Sequence, residues 1–157
     1  MHARSGSGEK GGSRDVSRGP AFLIGSIRVL LADASPAGRR RIRRALMRTG
    51  DVILVGEATT SRGTIRAARR KLPEVIVIRS TLARRGLLQA VSRLRTERPE
   101  VQVVAVTPDE PKIFLRTARA FGVSFCVPRD FVEIRLPSLV RLDHRDHYET
   151  VEKLRPG

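Results

Sequence analysis

The sequence predicts an α/β domain built on a parallel β-sheet. Short runs of aliphatic and β-branched residues alternate with helical patterns, and the loops between them are short. This alternation is typical of parallel strands joined by right-handed crossovers. The run Val75-Ile76-Val77-Ile78 is entirely β-branched, which favours a strand buried on both faces. We therefore expect helices to cover both sides of the sheet.

The elements follow one another along the chain without an internal repeat. The predicted strands cover residues 27–32, 52–58, 74–79, 101–107 and 123–127. The predicted helices cover 36–49, 61–72, 86–97 and 112–121, and the last part of the chain begins as a fifth helix or an extended arm.

Capping residues, proline and glycine set the predicted helix ends. Ser35 followed by Pro36 is a typical helix start, with a capping hydroxyl and then proline at the first helical position. Gly50 and Gly122 are suited to helix ends. Pro137 is predicted to interrupt the fifth helix because proline lacks the N–H of a helical hydrogen bond.

The chain divides into three parts by composition. Residues 1–26 are rich in Gly, Ser, Arg and Lys and are predicted to be disordered, because they cannot bury enough apolar surface to offset the entropy of ordering. Residues 27–142 form the predicted domain, and 143–157 form a polar tail. Asp143, His144 and His147 share one helical spacing in this tail, but Arg145 lies between them, so a plain polar segment is favoured over a metal site.

Composition also limits the cellular setting and the partners. The single cysteine, Cys126, excludes an intramolecular disulfide, and no apolar run has the length of a membrane span, so a cytoplasmic protein is expected. Lys and Arg total 31 against 16 Asp and Glu, a net charge of +15. Nucleic-acid phosphates are a common partner of such a surface, and arginine-rich codon usage is the alternative explanation.

Four segments together resemble the receiver domain of two-component response regulators. Residues 27–33 look like the acidic first strand, 52–58 like the second strand, 103–107 like the fourth strand with its hydroxyl, and 122–124 with Arg129 like the segment that holds a lysine. The resemblance implies a flavodoxin-like three-layer αβα sandwich with strand order 2-1-3-4-5.

The resemblance also implies a chemistry for which several residues are missing. In receivers an aspartate at the end of the third strand accepts a phosphoryl group, and an acidic pair after the first strand helps to hold Mg²⁺. Here the acceptor position is Arg79, and the acidic pair is Asp33 and Ala34. Thr107 keeps the hydroxyl, while Arg129 replaces the lysine. The resemblance therefore implies a degenerate pseudo-receiver, with no cofactor, metal or enzymatic activity expected.

Arg79 and Asp33 are expected to lie on neighbouring strand ends, since strands one and three adjoin in this order. An ion pair between them would fill the empty phosphorylation pocket, with modest net stabilisation because desolvation offsets the attraction. The alternative is that Arg79 points into solvent.

The basic residues form stripes on the predicted helices. Arg40, Arg44 and Arg48 are spaced four residues apart on helix one, and Arg66 and Arg70 share one face of helix two. The two helices are expected on opposite sides of the sheet, so these residues would make sequence-independent phosphate contacts or simply be solvated. Aromatic residues for base stacking are not interleaved with them.

The resemblance implies a protein-binding face formed by helix four, strand five and helix five. Its candidate residues are Ile113, Phe114, Phe121 and Phe131, with Phe114 and Phe121 as alternative core residues. The favoured function is a regulatory protein–protein interaction module in signalling, with a protein partner or a second copy of the chain. The alternative is a basic protein associated with nucleic acid or the ribosome, and no membrane partner is expected.

Overall fold

The computed structural model describes residues 26–79, 85–108 and 112–141, without the side chains at 85, 87 and 112–115. The predicted disordered segment (apart from Ser26), the polar tail and the tail histidines lie outside the described residues. The described strands are β1 Ile27–Ala32, β2 Val52–Ala58, β3 Val75–Arg79, β4 Gln102–Thr107 and β5 Phe125–Pro128. The described helices are α1 Pro36–Met47, α2 Ser61–Lys71, α3 Arg85–Glu97, α4 Lys112–Ala120 and α5 Val132–Val140, with a short 3-10 helix at Arg129–Phe131 before α5.

The five strands form one parallel sheet in the order β2-β1-β3-β4-β5, which confirms the predicted topology. In the register of β1 and β3, Ala32 lies beside Ile78. In the next pair, Arg79 lies beside Val106 of β4. Asp33 and Arg79 therefore leave the sheet at the same carboxyl edge.

Each face of the sheet has its own hydrophobic cluster. Leu30 and Ala32 of β1 belong to a cluster with the buried residues of α2, α3 and α4. Val29 and Leu31, which alternate with them, belong to a cluster with α1 and α5. Successive strand residues are buried on opposite faces of the sheet, and helices cover both faces. This arrangement is the predicted three-layer αβα sandwich.

The predicted capping signals act at the helix starts. The Ser35 hydroxyl accepts a hydrogen bond from the Gly38 N–H at 3.1 Å, and Pro36 occupies the first helical position. Thr60 caps α2 by accepting from the Gly63 N–H at 2.9 Å. These bonds satisfy backbone N–H groups that have no partner within the helix.

Pro137 does not interrupt α5, which corrects the sequence prediction. The helix continues through it from Val132 to Val140. Proline removes one backbone hydrogen bond from the helix interior. Leu136, Leu139 and Val140 are buried around this position, so side-chain packing holds the helix despite that loss.

Candidate functional site: the carboxyl edge and the arginine-rich face of helix one

Asp33 and Arg79 form an ion pair at the carboxyl edge of the sheet. Arg79 Nη1 lies 3.3 Å from Asp33 Oδ2, as the sequence predicted. The Asp33 side chain is completely buried, and the Arg79 side chain is 20% exposed. The alternative in which Arg79 points freely into solvent is therefore wrong.

Asp33 has a second partner that holds its carboxylate in place. Its Oδ1 accepts a hydrogen bond from the Ser35 N–H at 2.8 Å, so both carboxylate oxygens are engaged. The Asp33 backbone carbonyl accepts from Arg39 Nη1 at 2.8 Å. A buried carboxylate needs such partners, because an unpaired charge in the interior is costly.

Gly38 allows α1 to approach the ion pair closely. A Cβ atom placed at this position would overlap the Asp33 carboxylate and the Arg79 guanidinium group. Any side chain larger than hydrogen would therefore displace one of the two partners. Gly38 was not predicted as a site residue, because nothing in the local sequence distinguishes a helical glycine that packs on a charge pair from any other.

The ion pair forms part of the wall of a cavity of about 310 Å³, here called the edge hollow. Its wall includes Asp33, Ser35, Gly38, Arg79, Arg129 and Asp130. Of the five predicted pocket residues, the structure thus brings Asp33, Arg79 and Arg129 together. Thr107 is buried at the end of β4, and Ala34 is exposed after β1; neither belongs to the described wall of the hollow.

A second cavity, of about 220 Å³, lies on α1 beside α5 and is here called the α1 groove. It is lined by Ala37, Ala45, Glu133 and four arginines, Arg40, Arg41, Arg44 and Arg48. Arg41 donates to both carboxylate oxygens of Glu133, with Nη2 at 2.9 Å from Oε2. This contact lowers the pKa of Glu133 and raises that of Arg41. The sequence analysis did not identify this pair, whose members are far apart in the chain.

The arginines of α1 fall into two groups. Arg39 and Arg43 pair with Glu57, and Arg41 pairs with Glu133. The other group, the arginine stripe, consists of Arg40, Arg44 and Arg48, which are exposed and have no carboxylate partner among the residues that the structure describes. The arginine stripe, which was predicted from its spacing alone, therefore also differs from the other arginines of α1 in lacking an ion pair with a described carboxylate.

Arg66 and Arg70 lie on the opposite side of the sheet from the arginine stripe. Both are exposed on α2, and Arg62 continues the same four-residue spacing. Since α1 and α2 pack on different faces of the sheet, the basic residues surround the domain, as the topology predicted.

Solved structures of response-regulator receiver domains share this fold. The receiver domain of the putative response regulator NarL from Mycobacterium tuberculosis superposes with a TM-score of 0.68 at 20% identity, over 83% of this chain and 98% of that one. A LuxR-family response regulator from Aurantimonas sp. SI85-9A1 gives 0.67 at 21% identity, over 82% and 97%. The chain has the fold of a receiver domain.

A third similar structure is a receiver domain determined in the presence of a phosphomimetic. The isolated receiver domain of RcsB from Salmonella enterica serovar Typhimurium, in the presence of the phosphomimetic BeF3-, gives a TM-score of 0.64 at 16% identity, over 84% of this chain and 92% of that one. No protein-family model matches the sequence, and no curated protein matches it either.

Two of the four residues predicted for the α4–β5–α5 face have described side chains. Phe131 is 42% exposed, and the Arg135 guanidinium group lies 4.8 Å from the centre of its ring. Phe121 is half-buried and packs against the hydrophobic core. The Ile113 and Phe114 side chains lie outside the described residues.

Ile134 is a surface residue that the sequence analysis missed. It is 72% exposed, the most exposed large apolar side chain among the described residues. Val132 and Leu136, on either side of it in the sequence, are buried. The helical period of α5 would have identified Ile134 as an apolar residue outside the core register.

The described residues include neither a reactive cysteine nor a group of metal ligands. Burial raises the pKa of the Cys126 thiol to about 11, so it is protonated at neutral pH and a poor nucleophile. Within the described ranges no three His, Cys, Asp or Glu residues are grouped as metal ligands, and no helix is both long and apolar enough to cross a bilayer.

Proposed function

We propose that this chain is a regulatory module for signalling or transcription that acts through protein contacts and cannot be phosphorylated. The observation that carries this proposal is the ion pair between Arg79 and Asp33, in the position where a receiver would bind metal and phosphoryl group. No enzymatic activity is proposed, and the setting is cytoplasmic.

The chemistry of the pair explains why phosphorylation is lost. Phosphoryl transfer to a receiver needs a carboxylate at position 79 and oxygen ligands for Mg²⁺ nearby. The guanidinium group of arginine carries a permanent positive charge and repels a divalent cation. Ala34 supplies no ligand oxygen, and Asp33, the remaining member of the acidic pair after β1, is already bound to Arg79 and Ser35.

A protein partner or a second copy of the chain would bind at the α4–β5–α5 face. Phe131 and Ile134 are the exposed apolar side chains that support this placement. Aromatic residues and arginine are both enriched at protein interfaces. The candidate residues Ile113 and Phe114 lie on α4, which belongs to the same face by its place in the fold.

The loss of phosphorylation is tested by incubating the protein with Mg²⁺ and a small phosphodonor such as acetyl phosphate, and measuring mass. We expect no phosphoryl adduct. We also expect that beryllofluoride does not stabilise the protein against unfolding. The matched variant Ala34→Asp/Arg79→Asp completes the acidic pair after β1 and introduces a carboxylate at the end of β3, and it is expected to gain Mg²⁺ binding. An adduct on the unmodified protein would disprove the proposal.

The interaction face has its own test. Ile134→Ser removes the most exposed apolar side chain without touching the core, so stability should stay constant while partner capture or self-association weakens. Met47→Ser, at an exposed residue of α1, is the control. Equal binding by both variants and the wild type would place the interface elsewhere.

A second candidate function, association with nucleic acid or the ribosome, is favoured by a specific observation. The arginine stripe has no carboxylate partner among the described residues, although the neighbouring arginines of α1 do. Salt dependence separates the two functions, because phosphate-backbone binding weakens steeply with salt, whereas an apolar interface does so much less.

A further inference from the structure

We propose that the α1 groove is a binding site for the sugar-phosphate backbone of nucleic acid, which it contacts through Arg40, Arg44 and Arg48 without reading the bases. This inference rests on the second candidate function and assigns it one surface among several basic ones.

The pairing pattern leaves the positive charge of the groove uncompensated. Glu133 is the only acidic residue in the described lining of the groove, and Arg41 already holds both of its oxygens. The three charges of the arginine stripe therefore face solvent without an ion-pair partner among the described residues; the nearby carboxylate of Glu133 has its pKa lowered first by Arg41 and to a lesser extent by Arg48. Like charges four residues apart on a helix repel one another, and a bound polyanion relieves that repulsion.

The geometry of the stripe suits an elongated anion. Residues four apart on a helix are separated by about 6 Å along its axis, so the stripe spans about 12 Å. Its members are thus evenly spaced along one line, as the charges of a polynucleotide backbone are. All three are arginines, whose guanidinium groups bind phosphate oxygens through two parallel hydrogen bonds.

The lining of the groove favours nucleic acid over the other anionic partners. The apolar side chains in its described wall are Ala37 and Ala45, which are too small to insert into a bilayer or to anchor a protein interface. Aromatic rings for base stacking are also missing from that wall. What remains is a phosphate-binding surface with no means of reading sequence.

The test is fluorescence anisotropy with a labelled random-sequence duplex DNA, titrated over a range of KCl concentrations. The variant Arg40→Gln/Arg44→Gln/Arg48→Gln is compared with Arg62→Gln/Arg66→Gln/Arg70→Gln, which removes the same charge at the same spacing from α2. We expect the α1 variant to bind more weakly and its log–log salt slope to be shallower by about 2 to 3, the value for three lost phosphate contacts. The α2 variant should keep most of the wild-type affinity and slope. Circular dichroism checks that both variants fold.

The outcomes distinguish the inference from the function on which it rests. If the wild type fails to bind DNA even at low salt, the second candidate function fails. If it binds but both variants lose affinity equally, or only the α2 variant does, the function stands and the assignment to the α1 groove is wrong. Equal, salt-sensitive binding to phosphatidylserine vesicles that the α1 variant also loses would overturn the choice of nucleic acid.

Discussion

Arginine has opposite roles at the edge hollow and in the α1 groove. Arg79 is largely buried and paired with a buried carboxylate, so its charge is neutralised inside the fold. The arginines of the stripe are exposed, and none has a carboxylate partner among the described residues. The arginines that contribute to the net charge of +15 therefore include some that stabilise the fold and others that are available to a partner.

This difference shows that position, rather than composition, decides what a charge does. A cation at the end of β3 meets Asp33 because parallel strands place their carboxyl ends side by side. A cation on the outer face of α1 meets only what reaches it from solvent or from α5. Removing a charge should thus be costly in the first region and nearly free in the second.

The largest expected effect is that of Arg79→Met. It leaves the Asp33 carboxylate buried without its cation, which should lower the free energy of unfolding by about 3 kcal/mol. Urea denaturation measures this loss. The double variant Asp33→Asn/Arg79→Met should recover part of it, because no buried charge remains.

The exposed variant Arg66→Met is the control for that experiment and should change stability by less than about 0.5 kcal/mol. If Arg79→Met were no more harmful than Arg66→Met, the ion pair would contribute nothing. The contrast between a structural and an available arginine would then disappear.

Gly38→Ala tests how tightly α1 packs on the same ion pair. The new methyl group overlaps both partners, so we expect a loss of about 1–3 kcal/mol from overpacking, although alanine favours helices over glycine. Gly86→Ala in α3 is the matched control, because a methyl group there meets nothing within 4 Å. It should be neutral or stabilising by up to about 1 kcal/mol. Equal effects in the two variants would show that the hollow adapts to the methyl group.

Arg41→Gln removes the arginine of the α1 groove that is paired with Glu133. Arg41 has a carboxylate partner, as Arg79 does, but it is partly exposed to solvent, as the arginine stripe is. Solvent screens this pair, so the expected loss at neutral pH is about 0.5 kcal/mol. The lowered pKa of Glu133 means that the pair stabilises the fold above the ordinary glutamate pKa, and that this contribution is lost as the pH falls through the folded value. The stability difference between wild type and Arg41→Gln should therefore vanish at acidic pH. A difference that persists in acid would point to packing rather than charge.

The sequence was sufficient for the fold because its signals are local. The bounds of β1 and β2 and the Ser35 cap were predicted correctly, since β-branched runs and a capping residue before proline act within a few positions. The contact between Arg79 and Asp33 was also predictable, because a known strand order places both at one edge. Predicting this ion pair therefore required only the strand order of the sheet.

The remaining features depend on contacts between distant segments, which local patterns do not encode. Glu133 meets Arg41 only once α5 packs against α1, and Gly38 matters only because two charges lie beneath it. The continuation of α5 through Pro137 likewise follows from buried neighbours that outweigh a local rule. Pairing among the arginines of α1 was therefore not predictable from their spacing.

The triple variant Arg40→Gln/Arg44→Gln/Arg48→Gln, measured for stability rather than binding, is expected to have a small effect of the opposite sign. Removing two repulsive contacts between like charges one turn apart should raise the free energy of unfolding by about 0.4–1 kcal/mol at low salt. Added salt screens exposed charges, so the gain should shrink as ionic strength rises. Thermal denaturation at two salt concentrations measures both effects. A loss of stability would mean that the stripe has anionic partners within the protein itself, which would remove the distinction between its arginines and Arg79.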